Sequence, residues 1–208
     1  MKKLITTLSL TLLICCTDKT VKTASLDNKE VLNDSITILE NTDKRIDAKK
    51  VDSSKIKELK PFFIVKKDDF DEHGWIKPKS KPTYINTNGF YCYFAKNNDG
   101  TVENFRFVGQ YAADEWLFVK SLKFNIDGKT YDYFPDEVKS DHDSTIWEWF
   151  DEQVTPSNLD ILEKIASAKN VKVRFIGSEY YDDKTMSQTN IKSIKNTLEY
   201  YKALGGKF

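Results

Sequence analysis

The chain has 208 residues, 39% hydrophobic and 31% charged, and its 32 Lys and Arg balance 32 Asp and Glu. From residue 61 onward the balance is 20 basic to 23 acidic residues, without the basic stripe of a nucleic-acid binder, so nucleic acid is excluded as a partner. Three Cys and two His are too few, and too scattered, to compose a structural zinc site or a three-histidine catalytic one.

The first element is an export signal. Lys2 and Lys3 precede an uncharged stretch from Leu4 to Ile14, a basic region before an apolar one too short to span a bilayer. Leu13-Ile14-Cys15-Cys16 then resembles the lipobox of bacterial lipoproteins, although Cys15 stands where Gly, Ala or Ser is commonest. That resemblance implies cleavage after residue 15, acylation of Cys16 with palmitate-type chains, and a protein anchored through Cys16 to a membrane of the bacterial cell envelope. Several acyl chains make such attachment effectively permanent where one would not. With Cys15 removed and Cys16 acylated, only Cys92 stays a thiol, and no intramolecular disulfide can form.

Residues 16–60 read as a tether. Between Thr17 and Lys60 there is no Phe, Trp, Tyr, Gly or Pro, while ten Lys and Arg alternate with nine Asp and Glu. Such a segment buries too little apolar surface to offset its ordering entropy, though Val31, Leu32, Ile36, Ile38 and Leu39 could line a short helix face. If flexible, it holds the C-terminal region at about 35–40 Å from the membrane.

All 4 Trp, 10 Tyr, 13 Phe and 8 Gly lie after position 61, which sets residues 61–208 apart as a single domain. Phe62 to Val65 is a short apolar run, and the polar, Pro-interrupted Lys66 to Pro82 predicts a long loop or irregular edge. Phe90 to Lys96 and Val102 to Tyr111 flank the turn cluster Asn97-Asn98-Asp99-Gly100, predicting a hairpin. A second hairpin is predicted from Glu115 to Ile126 and Lys129 to Phe134 around Asp127-Gly128; in it Trp116, Phe118, Leu122, Phe124 and Ile126 share one face, taken as core. Ile146 to Val154 predicts a strand with Trp147 and Trp149 on one face and Glu148, Phe150 and Glu152 on the other.

Helices come last. Thr155-Pro156 is a start signal for a helix striped by Leu159, Leu162, Ile165 and Ala166, and Ser187 caps another carrying Ile191, Ile194, Leu198, Tyr201 and Leu204 before Gly205-Gly206. Between them Val171, Val173 and Phe175 alternate with Lys172 and Arg174 as a strand that Gly177 closes. The fold class is therefore α+β, a mainly antiparallel sheet followed by two C-terminal helices separated by a strand. The segments Asp114 to Ser121, Asp127-Gly128-Lys129, Trp147-Glu148-Trp149, Val171 to Gly177 and Tyr180 to Asp183 together resemble an uncharacterised group of bacterial hypothetical proteins. That resemblance implies one domain over most of residues 61–204 and no particular chemistry.

Several motifs can be weighed for chemistry. Asp141-His142-Asp143-Ser144-Thr145 with Glu152 imitates a calcium loop but has Ile146 where the sharp turn needs glycine, and His142, Asp143 and Ser144 are too close in sequence to converge as a triad. Cys92, in an apolar strand, reads as an inert buried thiol. No cofactor is indicated. Glu148, Asp151 and Glu152 among Trp147, Trp149 and Phe150 have the residue types of a glycan or peptidoglycan hydrolase. Better placed is Tyr180-Tyr181-Asp182-Asp183, read as a loop between the Gly177 strand end and the Ser187 helix start, where amphipathic rings suit contact with an envelope protein or glycan. The sequence therefore predicts a binding protein whose candidate surface is Tyr180, Tyr181, Asp182 and Asp183 with Trp147 or Trp149, and a hydrolase as the alternative.

Overall fold

A computed structural model describes residues 51–67, 70 and 73–208. The signal segment, Cys16 and most of the tether lie outside the described residues. The elements in chain order are α1 (Ser53–Leu59), β1 (Phe63–Lys67), β2 (His73–Pro78), β3 (Gly89–Asn97), β4 (Val102–Ala113), β5 (Ser121–Ile126), β6 (Lys129–Tyr133), β7 (Lys139–His142), β8 (Ile146–Gln153), α2 (Pro156–Ser167), β9 (Val171–Ile176), β10 (Tyr181–Thr185) and α3 (Gln188–Ala203). The fold is α+β. Strands β1-β2-β3-β4-β8-β7 form one sheet and β10-β9-β5-β6 another, with antiparallel pairing throughout.

The two sheets face each other over an aromatic core. From the six-stranded sheet come Phe90, Phe107, Tyr111 and Phe150; from the other come Phe124, Tyr133 and Phe175, with ring pairs such as Phe90–Phe124 at 5.9 Å and Tyr111–Phe175 at 5.0 Å. Beyond the second sheet's reach, α3 covers the remaining inner surface. Its Tyr200 stacks on Phe63 at 4.7 Å and its Tyr201 meets Phe94 and Phe105 edge-on. Leu162 and Ile165 of α2 are fully buried, contributing about 1.5–3 kcal/mol each.

Local signals explain much of this. Asp127 and Gly128 have φ of 48° and 93°, the two left-handed residues a tight hairpin turn requires. The Asp127 carboxylate also accepts the Lys169 and Asn170 N–H groups, tying that turn to the end of α2. The Ser187 hydroxyl caps α3 by accepting from Asn190 N–H.

Five expectations are corrected. The ordered domain starts before residue 61: α1 carries Ile56 and the buried Leu59 on one face, Asp52 N–H donates to the Ala203 carbonyl, and Lys55 pairs with Glu199 at 3.1 Å. A short apolar face covered by α3 outweighs the charged composition around it. The stretch Lys66 to Pro82 is not a loop or irregular edge throughout, because His73–Pro78 is a regular strand paired on both sides, with Pro78 tolerated at its end. The strand expected over Glu115 to Ile126 begins only at Ser121; Phe118 has φ of 56° and is exposed, while Leu117 and Val119 are buried in its place. The acidic turn at Asp141 lies partly in an edge strand, β7, which no apolar pattern announces. And Tyr181, Asp182 and Asp183 are not on a loop: they open β10, a second strand between α2 and α3.

Candidate binding face and the buried carboxylates

β8 places its side chains by strict alternation. Trp147, Trp149 and Asp151 point to the outer face of the six-stranded sheet, and Glu148, Phe150 and Glu152 point inward. The faces are those the alternation predicts, but the inward carboxylates are structural fasteners. Glu148, 3% exposed, accepts the backbone N–H groups of Leu117 and Phe118 on Oε1, both at 2.9 Å, and of Val119 on Oε2 at 2.6 Å. This holds the segment entering β5 against β8 and forces Phe118 into its left-handed conformation. Glu152 accepts from the Tyr133 hydroxyl, from Asp136 N–H at 2.9 Å and from Asn158 Nδ2 at 3.3 Å. Burial, then the Glu152 carboxylate, pushes the Tyr133 phenol far up, so Tyr133 is a permanent donor.

Asp151 is engaged on the other side. Its Oδ1 receives Arg106 Nε at 2.7 Å, its Oδ2 receives the Tyr93 hydroxyl at 2.6 Å, and Arg106 Nη2 also donates to its carbonyl. Each of the three carboxylates proposed from sequence for acid–base chemistry is therefore occupied by donors from the protein itself, and Glu148 and Glu152 lie between the sheets and not at a cleft.

The outer face around Asp151 has a different character. His73, Trp75, Tyr93 and Tyr91 form a run of rings, with successive centroids at 4.9, 5.1 and 6.3 Å. Lys77 Nζ sits 4.7 Å above the Tyr93 ring, and the Arg106–Asp151 pair lies beside it. Trp75, Tyr91 and Trp149 are half-buried, each keeping part of its ring in solvent, whereas Trp147 is down to 9% exposure. Burial raises the Tyr91 phenol to about 12, which keeps it a neutral donor. The sequence reading missed Trp75, Tyr91, Tyr93 and Arg106. The alternation of Tyr91 and Tyr93 was visible, but Phe90, Cys92 and Phe94 on the other parity are as apolar, so which face stays open was not.

The remaining predicted residues lie elsewhere. Tyr181 and Asp183 face outward from the four-stranded sheet, on the side of the molecule opposite Trp147 and Trp149, so the structure does not bring the two groups together. Tyr180 and Tyr181 are 72% and 59% exposed, and neither is core. The Arg174 guanidinium lies 3.8 Å from the Tyr181 ring centroid and binds Asp183 through two 2.7 Å bonds, holding the Asp183 carboxyl below its ordinary range. Asp182 turns inward instead, accepting from the Tyr111 hydroxyl at 3.0 Å and from Lys184 at 2.8 Å. Cys92 is fully buried, and burial pushes its thiol well up. Among the described residues no group of three or more His, Cys, Asp or Glu is placed to hold a metal ion, and no helix is long and apolar enough to cross a membrane. No family model, no curated protein and no solved structure matches this chain.

Proposed function

We propose that this is a lipoprotein of the bacterial cell envelope, anchored through Cys16, whose α+β domain binds an envelope component. The observation that carries the binding reading is the row of half-exposed rings on the outer face of the six-stranded sheet. There Trp75, Tyr91 and Trp149 keep part of their rings in solvent on the same face as the Arg106–Asp151 pair, above the buried Tyr93. Flat rings beside fixed charged groups suit a glycan, which stacks its C–H faces on rings and hydrogen-bonds at its edges. A hydrolase using Glu148, Asp151 and Glu152 is the weaker reading, because all three already accept hydrogen bonds from the protein.

Two measurements test this. For the anchor, Cys16→Ala is expected to move the protein from the detergent phase to the aqueous phase on phase separation; equal partitioning of wild type and variant refutes acylation at Cys16. For the binding face, the domain is expected to co-sediment with purified peptidoglycan sacculi, with Trp75→Ala and Tyr91→Ala each weakening binding by about ten-fold, the effect of losing a central aromatic contact. Sedimentation no greater than that of serum albumin, or undiminished in both variants, removes the glycan reading.

A further inference from the structure

Among the described residues the two sheets have four edge strands, and three are blunted. β7 is Lys-Ser-Asp-His, β10 carries Asp182, Asp183 and Lys184, and β6 carries Lys129 and Asp132. Charged edges of this kind discourage pairing with another chain. β1 also ends in two charges, Lys66 and Lys67, but its first half is apolar and open: Phe62 just before it, and Ile64 and Val65 within it, are 46%, 44% and 57% exposed. The ladder fixes which of its backbone groups are on offer. Lys79 N–H donates to the Phe62 carbonyl at 2.9 Å, so Phe63 and Pro78 form a non-hydrogen-bonded pair, and Ile64 and Lys66 turn their amides toward β2. The N–H groups of Val65 and Lys67 and the carbonyls of Phe63 and Val65 therefore point away from the sheet, while Phe63 N–H is taken by the Lys60 carbonyl.

Two further features lie at this edge. A cleft of about 220 Å³ opens at its start, lined by Phe62, Phe63, Pro78, Lys79, Lys192 and Ser193 among others. Ser193 is 5% exposed, yet its hydroxyl meets no partner among the described residues. The charged side chains lining the cleft are of one sign, Lys79 and Lys192, whereas along the chain Lys66-Lys67 runs on into Asp68, Asp69, Asp71 and Glu72 at the other end of β1. Lys66 and Lys67 are on β1, Lys77 faces Ile64, and Lys79 and Lys192 flank the cleft. The Lys77 ammonium is disfavoured by burial and then by the fields of Lys81 and Lys66, with Asp151 opposing them from the aromatic face.

We infer that β1 is a docking edge for an extended segment of a partner protein, whose backbone adds a strand beside Phe63–Lys67 and whose side chains are apolar and acidic, one acid entering the Lys79–Lys192–Ser193 cleft. Main-chain pairing supplies the affinity, and the lysines select the charge. The edge adjoins the aromatic face, sharing Lys77 with it, but the outward backbone groups of β1 and the Lys79–Lys192–Ser193 cleft do not depend on the glycan reading.

The probe is a capped heptapeptide of alternating Val and Glu, with its Val and Lys counterpart as control, followed by fluorescence anisotropy on the full chain. The acidic peptide is expected to bind at least about ten-fold more tightly, and Lys79→Gln with Lys192→Gln to remove most of that preference. Val65→Pro removes an outward N–H without breaking the β1–β2 ladder, and is expected to abolish binding while the thermal midpoint changes little. On the unsubstituted chain, hydrogen exchange at the Val65 and Lys67 amides is expected to slow when the acidic peptide is added, a readout independent of whether the proline variant folds. Equal binding of the two peptides, unchanged exchange at Val65 and Lys67, or a dimer that Val65→Pro dissociates in place of peptide binding overturns the inference.

Discussion

Replacing Glu148 by alanine is expected to cost the domain about 4 kcal/mol or more, among the largest effects of any single surface-distant substitution in it. Three backbone N–H groups, of Leu117, Phe118 and Val119, would lose their acceptor together, two of them on buried residues. An abandoned buried donor costs about 1–3 kcal/mol, and bonds to a charged acceptor lie at the upper end. Glu148→Gln is expected to cost less, about 2 kcal/mol, since its amide keeps one acceptor oxygen but sets an NH₂ against one of the donors. For a domain of this size the alanine variant should lower the thermal midpoint by about 10 °C, whereas Glu115→Ala, at an exposed position, should stay within about 0.5 kcal/mol. Urea unfolding checks it. A Glu148→Ala variant as stable as the parent would mean that the segment from Leu117 to Val119 is not held by this carboxylate.

The same carboxylate marks where the sequence stops being legible. The Asp127-Gly128 hairpin, the Thr155-Pro156 start of α2 and the capped, striped α3 are readable because their causes are local: a left-handed pair, a start signal and a spacing of three and four. Continuing the period-two pattern of Leu122, Phe124 and Ile126 back through Phe118 and Trp116 fails because Glu148, some thirty residues later, reverses the backbone there and buries Leu117 and Val119 instead. β7 is illegible for the opposite reason. An edge strand exposed on all four residues needs no apolar pattern, so Lys139 to His142 carries none. At the candidate face, the parity of Trp147 and Trp149 follows from alternation. That Glu148 and Glu152 fasten two layers does not, because their partners are backbone amides and a tyrosine from other elements. Side-chain type shows that carboxylates sit near tryptophans; only the donors around them distinguish a fastener from an acid–base pair.

Gly177 is where that fastened segment meets the second sheet, and Gly177→Ala is expected to destabilise the domain by about 3 kcal/mol, the upper range for overpacking. A methyl group there would lie 1.9 Å from the Leu117 carbonyl oxygen and 2.8 Å from its carbon. Those are backbone atoms, so no rotamer change relieves the contact. Gly177 does not occupy the left-handed region, and the cost is purely steric. Gly100 provides the contrast: with φ of 87° and no heavy atom within 4 Å of an added Cβ, Gly100→Ala carries only the conformational penalty of about 1–2 kcal/mol. The Leu117 N–H is bound to Glu148 and the Lys120 N–H to the Ile176 carbonyl, so moving Leu117 away from residue 177 loosens both attachments. The costs of Gly177→Ala and Glu148→Gln should therefore overlap, with the double variant less destabilised than the two singles predict separately. A double-mutant cycle in urea measures this coupling. Full additivity, or a Gly177→Ala variant no worse than Gly100→Ala, would show that the segment from Leu117 to Lys120 yields without disturbing the carboxylate that joins the two sheets.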